Sequence, residues 1–226
     1  MTTRSNFQKS ALIDHYKSAR SWIEQSKHSN EVSWLQCASG SILTESYFLR
    51  EYAWVVLNSG FRESVVRKHF DFISLAFCDW SSAQEISKNA EGCLAAAGMV
   101  FSHRQKLSAI VQTAKLLDDW SFDRFTVLLR DEGVAFLERL PFIGRITSWH
   151  LAKNIGMDVA KPDRHMIRLA NKFGYSDVQV MCTEIAKVTG DSMSVADLIL
   201  WRFAVESGKS NNIAWKKQHS YSTQPK

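Results

Sequence analysis

The chain has 226 residues, of which 45% are hydrophobic, and it contains only 3 prolines and 10 glycines. This length supports one large domain or two small lobes, and the low proline and glycine content excludes collagen-like and linker-dominated chains. Lys and Arg total 28 and Asp and Glu total 23, so the formal net charge of +5 is too modest to indicate a nucleic-acid partner by itself.

Apolar residues recur at the helical period along most of the chain. The pattern predicts helices around residues 12–23, 48–56 and 65–73, from 82 to 98, and at 106–117, 122–130, 134–140, 145–154, 164–172, 178–188 and 195–205. Ser82 and Ser121 are predicted N-caps, Gly98 a helix end, and residues 78–80 a break. Long alternating runs and Asn-Gly or Asp-Gly turns are missing, so we predict an all-α fold.

The first residues lack the apolar core of a signal peptide, and no segment approaches the roughly 20 apolar residues of a membrane span. The four cysteines are Cys37, Cys78, Cys93 and Cys182, and their spacing fits neither a zinc nor an iron–sulfur pattern. We therefore expect a soluble, cytoplasmic protein with free thiols, no metal and no cofactor.

A short turn is predicted at residues 140–145, which read Leu-Pro-Phe-Ile-Gly-Arg and lead into a helix near Arg145. Pro141 limits the backbone, and Gly144 permits a close or left-handed one. Free amide groups at the following helix start are able to bind an anion. A plain helix–helix connection is the alternative interpretation of this turn.

Asp163 follows Gly144 by nineteen residues and directly follows Pro162. A Pro-Asp pair is typical of a helix start, where the carboxylate caps the helix. Capping accounts for Asp163 alone but not for its combination with the preceding turn.

Residues 137–174 resemble the helix-hairpin-helix DNA glycosylases, the superfamily that includes endonuclease III and the 3-methyladenine glycosylases. The family pattern is Leu-Pro-Gly-(Ile/Val)-Gly-x-x-Thr-Ala, followed by an Asp in a Val-Asp-x-His-(Val/Ile)-x-Arg-like segment. The matching residues are Leu140, Pro141, Ile143, Gly144, Thr147, Asp163, His165 and Arg168. Weaker similarity extends through residues 101–106 and 54–60 back to Glu51.

The resemblance implies a two-lobed helical unit over residues 1–206, with the DNA cleft and the active site between the lobes. One lobe takes in about 50–155, including the hairpin at 137–154, and the other takes in the N-terminal helix and 156–206. Residues 207–226 are predicted to be a basic, flexible tail.

Asp163 is the implied catalytic residue, because a carboxylate stabilises the positive charge that develops on the sugar and orients or deprotonates water. The residues expected to contact the DNA backbone are Phe142, Gly144, Arg145, Thr147, His165 and Arg168. The candidates for the base pocket or for filling the gap left by an extruded base are Asn58, Phe61, Arg62, Trp54 and Glu51. A core position is the alternative for Phe61, and a surface or capping role the alternative for Glu51.

Two departures from the family pattern bear on the chemistry. Phe142 replaces the first hairpin glycine, and Ile146 occupies the position of the nucleophilic lysine in bifunctional members. Since isoleucine does not form a Schiff base, the resemblance implies a monofunctional enzyme. A displaced lysine, Lys153 or Lys161, is the alternative. The family's C-terminal iron–sulfur cysteines have no counterpart.

Aromatic and basic residues are compatible with DNA but are not specific for it. Four tryptophans, Trp54, Trp80, Trp120 and Trp149, are candidates for a pocket wall, with core packing as the alternative for each. The basic groups at 62–68 and 103–106, the latter including Lys106, are candidates for phosphate contacts, with a solvated face as the alternative.

We therefore predict a monofunctional DNA glycosylase that acts on a modified base, an alkylated one in the first place, in double-stranded DNA. We expect a monomer without membrane contact, located in a prokaryotic nucleoid or in the cytosol of a phage host. The alternatives are a glycosylase for a bulky modified base such as those of phage DNA, a bifunctional glycosylase/lyase for oxidised purines, and a non-catalytic DNA-binding module.

Overall fold

The computed structural model describes the backbone of residues 2–38 and 42–219 and the side chains of residues 7–37 and 42–206. The helices in these ranges are α1 (Thr2–Glu24), α2 (Ser29–Ala38), α3 (Glu45–Asn58), α4 (Glu63–Ala76), α5 (Ala83–Lys88), α6 (Ala90–Gly98), α7 (Arg104–Trp120), α8 (Phe122–Glu132), α9 (Val134–Leu137), α10 (Thr147–Asn154), α11 (Arg164–Lys172), α12 (Val178–Thr189) and α13 (Met193–His219). The same ranges contain no strand, so the all-α prediction is confirmed.

The chain forms two compact units. The first consists of Met1–Cys37 and Asp158–Lys226, and the second is Ala38–Met157. In the first unit α1 packs against α12 and α13 and buries the apolar face that its helical period creates, including Leu12, Tyr16 and Ile23.

Polar contacts between distant segments tie the first unit together. The Tyr16 hydroxyl donates to Asp191 Oδ2 at 2.6 Å, and Arg20 donates to Asp191 Oδ1 at 2.7 Å. Arg202 on α13 donates to both oxygens of Glu31 on α2, at 2.7 and 2.8 Å. Such a two-point arginine–carboxylate pair fixes geometry as well as charge.

The second unit is built around α3, whose buried residues extend from Phe48 to Leu57. The Thr44 hydroxyl caps the start of α3 by accepting from the Tyr47 N–H at 3.3 Å. Helices α4, α7 and α10 pack against α3, which makes α3 the central support for the hairpin between α9 and α10.

Several predicted boundaries need correction. Helix α2 was not predicted, and the predicted helix at 82–98 is two helices, α5 and α6, because Asn89 breaks it by donating its side-chain amide to Glu85 O at 2.9 Å. As predicted, Ser82 caps the start of α5, and α6 ends at Gly98. The predicted tail begins at residue 207, whereas α13 continues to His219; residues 220–226 lie outside the described residues.

The predicted break at residues 78–80 is a turn in which three consecutive residues are left-handed. Cys78, Asp79 and Trp80 have φ of 57°, 49° and 59°. The turn buries Trp80, whose indole N–H donates to the Ser74 hydroxyl at 2.9 Å and whose ring lies parallel to that of Phe77 at 5.4 Å. Burial of this side chain compensates for the unfavourable backbone and assigns Trp80 to the core.

None of the helices in the described part of the chain is long and apolar enough to cross a membrane.

Candidate functional site

The hairpin connects α9 to α10 through residues 138–146. Leu140 and Ile143 are buried and anchor the turn, whereas Phe142 and Ile146 are 45% and 40% exposed. The left-handed residue of the turn is Phe142, with φ of 60°; Gly144, which permits a close or left-handed backbone, is not left-handed. The hairpin therefore presents two large apolar side chains to solvent.

The start of α10 exposes unpaired backbone donors. The Gly144 N–H donates to the Thr147 hydroxyl at 2.7 Å, and that hydroxyl donates to Gly144 O at 3.0 Å. Within the described residues, no acceptor lies opposite the N–H groups of Arg145, Ile146 and Thr147. Three consecutive free N–H groups beside an exposed arginine form an arrangement suited to an anion.

Asp163 is the N-cap of α11, in the first unit. Its Oδ1 accepts from the His165 N–H at 2.8 Å and from the Met166 N–H at 3.1 Å. Its Oδ2 has no hydrogen-bond partner among the described residues. One carboxylate oxygen thus fixes the side chain, and the other is available to a ligand.

Two further residues predicted to contact DNA lie on α11, His165 in its first turn and Arg168 in its second. His165 is half-buried and its Nε2 lies 3.3 Å from Arg164 Nε, while Arg168 is exposed. The half-buried Asp163 is therefore followed by the exposed Arg164 and, one turn later, by the exposed Arg168. Among the described side chains, no group of three or more His, Cys, Asp and Glu is arranged to hold a metal ion.

Helix α3 holds the hairpin at both ends. The buried Tyr52 hydroxyl donates to Pro141 O at 2.5 Å, immediately before the left-handed Phe142. At the other end, Asn154 Nδ2 donates to Glu51 Oε2 at 2.9 Å, and the Tyr47 hydroxyl donates to Asn154 O at 2.9 Å. Burial raises the pKa of Tyr52, which keeps its hydroxyl a donor.

No protein-family model matches this chain, and no curated protein does. A solved structure does match: the 8-oxoguanine glycosylase/lyase of Methanocaldococcus jannaschii in complex with a 15-mer DNA containing 8-oxoguanine. The match has a TM-score of 0.53 at 16% identity and covers 84% of this chain and 95% of that one. This chain has the helix-hairpin-helix glycosylase fold. At such low identity the likeness concerns the fold alone.

Glu51, a candidate for the base pocket, lies inside the second unit of this glycosylase fold. It is 3% exposed, and besides the bond from Asn154 it accepts from Arg50 at 2.7 Å. The alternative of a surface or capping role is therefore wrong. Burial raises the pKa of the Glu51 carboxyl, against the opposing effects of Arg50 and Asn154.

We expect Glu51 to make stability depend on pH. Because its pKa is higher in the folded than in the unfolded chain, the folded state binds more protons, and this contribution to stability falls as the pH rises through and above 4.5. The free energy of unfolding of Glu51→Gln, relative to that of the unaltered protein, should therefore increase from acidic to neutral pH. Urea titrations of both proteins at a series of pH values measure the difference; a difference that moves the other way contradicts the assignment.

The other pocket candidates lie around the C-terminal end of α3. Trp54 is half-buried, with its ring edge-to-face against Phe70 at 5.0 Å and Arg67 5.1 Å above it. Asn58 Nδ2 donates to Trp54 O at 2.9 Å, and the buried Asn58 Oδ1 has no partner among the described residues. Arg62 is exposed.

Phe61 belongs to an aromatic row that reaches the hairpin. Its ring is 40% exposed and lies 5.2 Å from Phe101 and 5.9 Å from His103. His103 in turn lies edge-on to Phe142 at 6.2 Å. The row Phe61–His103–Phe142 brings together a gap-filling candidate and the hairpin within one unit, although about eighty residues separate them.

Lys106 is not part of a basic surface, which corrects the prediction. It is 3% exposed, and its ammonium donates to Val56 O at 2.5 Å, Leu57 O at 3.2 Å and Ser59 O. These carbonyls end α3, where helical partners are missing. Residue type does not separate this lysine from its exposed neighbour Arg104. The sequence signal that does is the helical phase that Lys106 shares with the buried Leu107 and Ile110.

The remaining tryptophans are divided between core and partial exposure. Trp80 is buried, and Trp120 and Trp149 are half-buried, with Trp120 lying 6.2 Å from Phe136. Core packing therefore accounts for Trp80, and the pocket-wall interpretation stays a prediction for Trp54, Trp120 and Trp149.

Replacing Phe142 with glycine is expected to stabilise the protein by up to about 1 kcal/mol, because glycine adopts a positive φ without the steric cost that Phe142 bears. Thermal and urea unfolding measure the change. Phe142→Ala is the control, since alanine removes the ring and keeps the strain. A glycine variant less stable than the alanine variant would contradict this interpretation of the turn.

Proposed function

We propose that this protein is a monofunctional DNA glycosylase that hydrolyses the N-glycosidic bond of a modified base in duplex DNA and leaves an abasic site. The observation that carries the proposal is the geometry of Asp163. Its Oδ1 is held by two backbone N–H groups of α11, and its Oδ2 has no hydrogen-bond partner among the described residues. The glycosylase fold supports the same function.

The proposed reaction uses the free oxygen of Asp163. As the base departs with the electron pair of the glycosidic bond, positive charge builds on the sugar, and the carboxylate stabilises it. A water oxygen then bonds to the sugar carbon and loses a proton to Asp163, which returns it to solvent. The cap at the start of α11 keeps the carboxylate oriented through these steps.

DNA binding is proposed to begin at the hairpin. The free N–H groups of Arg145, Ile146 and Thr147, together with the Arg145 guanidinium, are suited to one phosphate. His165 and the exposed, positively charged Arg168, both on the helix that Asp163 caps, supply further contacts to the DNA backbone. Since these contacts displace counterions, affinity for duplex DNA should fall steeply with salt.

The proposed substrate is an alkylated base. Ile146 lacks the amine that a lyase needs, and Lys153, on the same hairpin helix, is only 9% exposed. Aromatic side chains such as the half-buried Trp149 offer faces that attract cationic alkylated purines. We further propose that the protein acts as a monomer in the cytoplasm, where it meets DNA.

One observation favours a second candidate, a bifunctional glycosylase/lyase for an oxidised purine. The M. jannaschii protein that shares the fold is an 8-oxoguanine glycosylase/lyase. In that case Lys153 or Lys161 would have to supply the displaced amine.

The test is an incubation of the protein with duplexes that carry alkylated, oxidised or bulky glycosylated bases, with released bases identified by mass spectrometry. Release of an alkylated base with an intact abasic strand supports the proposal. Trapping of a covalent adduct with borohydride on an oxidised-purine duplex would replace it with the second candidate. DNA binding without release of any base would leave a non-catalytic DNA-binding protein.

A further inference from the structure

The hairpin carries an aromatic side chain at the position where the backbone conformation suits glycine. Phe142 is left-handed and 45% exposed, so both its backbone and its ring are in unfavourable surroundings. Its neighbour in the turn, Ile143, is buried, so the turn has an apolar anchor without it. Phe142 is therefore not explained by the folding of the hairpin.

The surface beside Phe142 has a mixed chemistry. An open cleft of about 460 Å³ is bordered by Phe142 and by Arg104, Gln105, Ser108 and Gln112 of α7. Three of these, at 104, 108 and 112, follow one face of α7 at a spacing of one helical turn. The cleft thus combines an aromatic ring with one cation and two amide groups.

This combination matches an unpaired nucleotide. An aromatic ring stacks on any base, an amide offers a donor and an acceptor to a base edge, and an arginine binds the adjacent phosphate. The edge of His103 faces Phe142, and Phe61 lies beyond it, so the aromatic row extends the surface along the unit. The free N–H groups of Arg145 and Ile146 follow Phe142 three and four positions later in the chain.

We propose that Phe142 stacks on an unpaired base of the bound DNA, with Arg104 on a neighbouring phosphate and Gln105 and Gln112 at the base edge. This inference rests on the proposed function and deepens it, because it assigns recognition of the opened duplex to the hairpin. In this assignment Phe142 contacts a base and not the DNA backbone.

The test compares two duplexes, one with a single abasic-site analogue opposite adenine and one fully paired, by fluorescence anisotropy. Phe142→Ala is expected to lower affinity for the abasic duplex about tenfold or more and to leave affinity for the paired duplex unchanged. Phe142→Trp should retain both affinities. Phe72→Ala is the matched control, because Phe72 is 44% exposed on α4 of the same unit, and it should bind both duplexes like the unaltered protein.

Phe142→Gly separates binding from folding, since it is expected to raise the melting temperature while losing the same affinity as Phe142→Ala. If Phe142→Ala binds the abasic duplex as the unaltered protein does, this inference is wrong and the proposed function stands. If Phe142→Ala lowers affinity for both duplexes equally, Phe142 contacts the DNA backbone and the inference is likewise wrong. If the unaltered protein binds neither duplex, the proposed function fails and the inference fails with it.

Discussion

Replacing Asp163 with asparagine is expected to lower base release at least about a hundredfold while leaving the fold intact. Asparagine caps a helix as well as aspartate does, because its side-chain oxygen accepts the same N–H bonds from His165 and Met166. What it lacks is the negative charge and the ability to take a proton from water. Single-turnover release of the base from the best substrate measures the change.

The chain provides a matched control for Asp163. Asp177 caps α12 in the same way, with its Oδ1 accepting from the Gln179 N–H at 2.5 Å and the Val180 N–H at 3.2 Å. Asp177→Asn should therefore keep full activity. Asp163→Ala should lose activity and also about 1 kcal/mol of stability, since it removes the cap. Full base release by Asp163→Asn would rule out the mechanism.

Replacing Lys106 with methionine is expected to destabilise the protein by about 3 kcal/mol or more, the largest effect on folding that we predict. The substitution keeps the length of the side chain and removes the donor to the carbonyls of Val56, Leu57 and Ser59. Buried carbonyls that lose a charged donor are left without water or protein partners. Urea unfolding at neutral pH measures the cost.

Lys115→Met, on an exposed position of the same helix, is the control and should change stability little. Burial lowers the pKa of Lys106 to about 8. Because the unfolded chain then holds more protons between pH 8 and pH 10.5, the contribution of Lys106 to stability rises with pH over that range. The cost of Lys106→Met should therefore grow over that range, and a cost equal to that of Lys115→Met at every pH would disprove the role of Lys106.

Local signals in the sequence predict local structure well in this protein. Ser82, Ser121 and Asp163 cap helices as expected, because the choice of a capping side chain depends on the few residues that follow it. The break at residues 78–80 is also marked locally, by the end of a helical period.

Short segments of the sequence do not predict burial or long-range contacts. Lys106 follows two other basic or titratable residues and so resembles a surface residue, although its ammonium reaches a helix end about fifty positions earlier. Glu51 is buried, and the side chain that donates to it, Asn154, lies over a hundred positions later. The left-handed Phe142 was missed because the glycine two residues later is the better local candidate for that conformation.

The attachment of the hairpin to α3 has a consequence for local opening. Tyr52 and Glu51 are consecutive, yet one bonds to the turn at Pro141 and the other to the end of α10 at Asn154. The hairpin therefore does not detach from α3 one end at a time without cost. Detaching either end breaks a hydrogen bond to the same buried turn of α3. In native-state hydrogen exchange, the amides of α10 should open together with those of α3 as one cooperative segment, at a higher free energy than an exposed connection between two short helices would show.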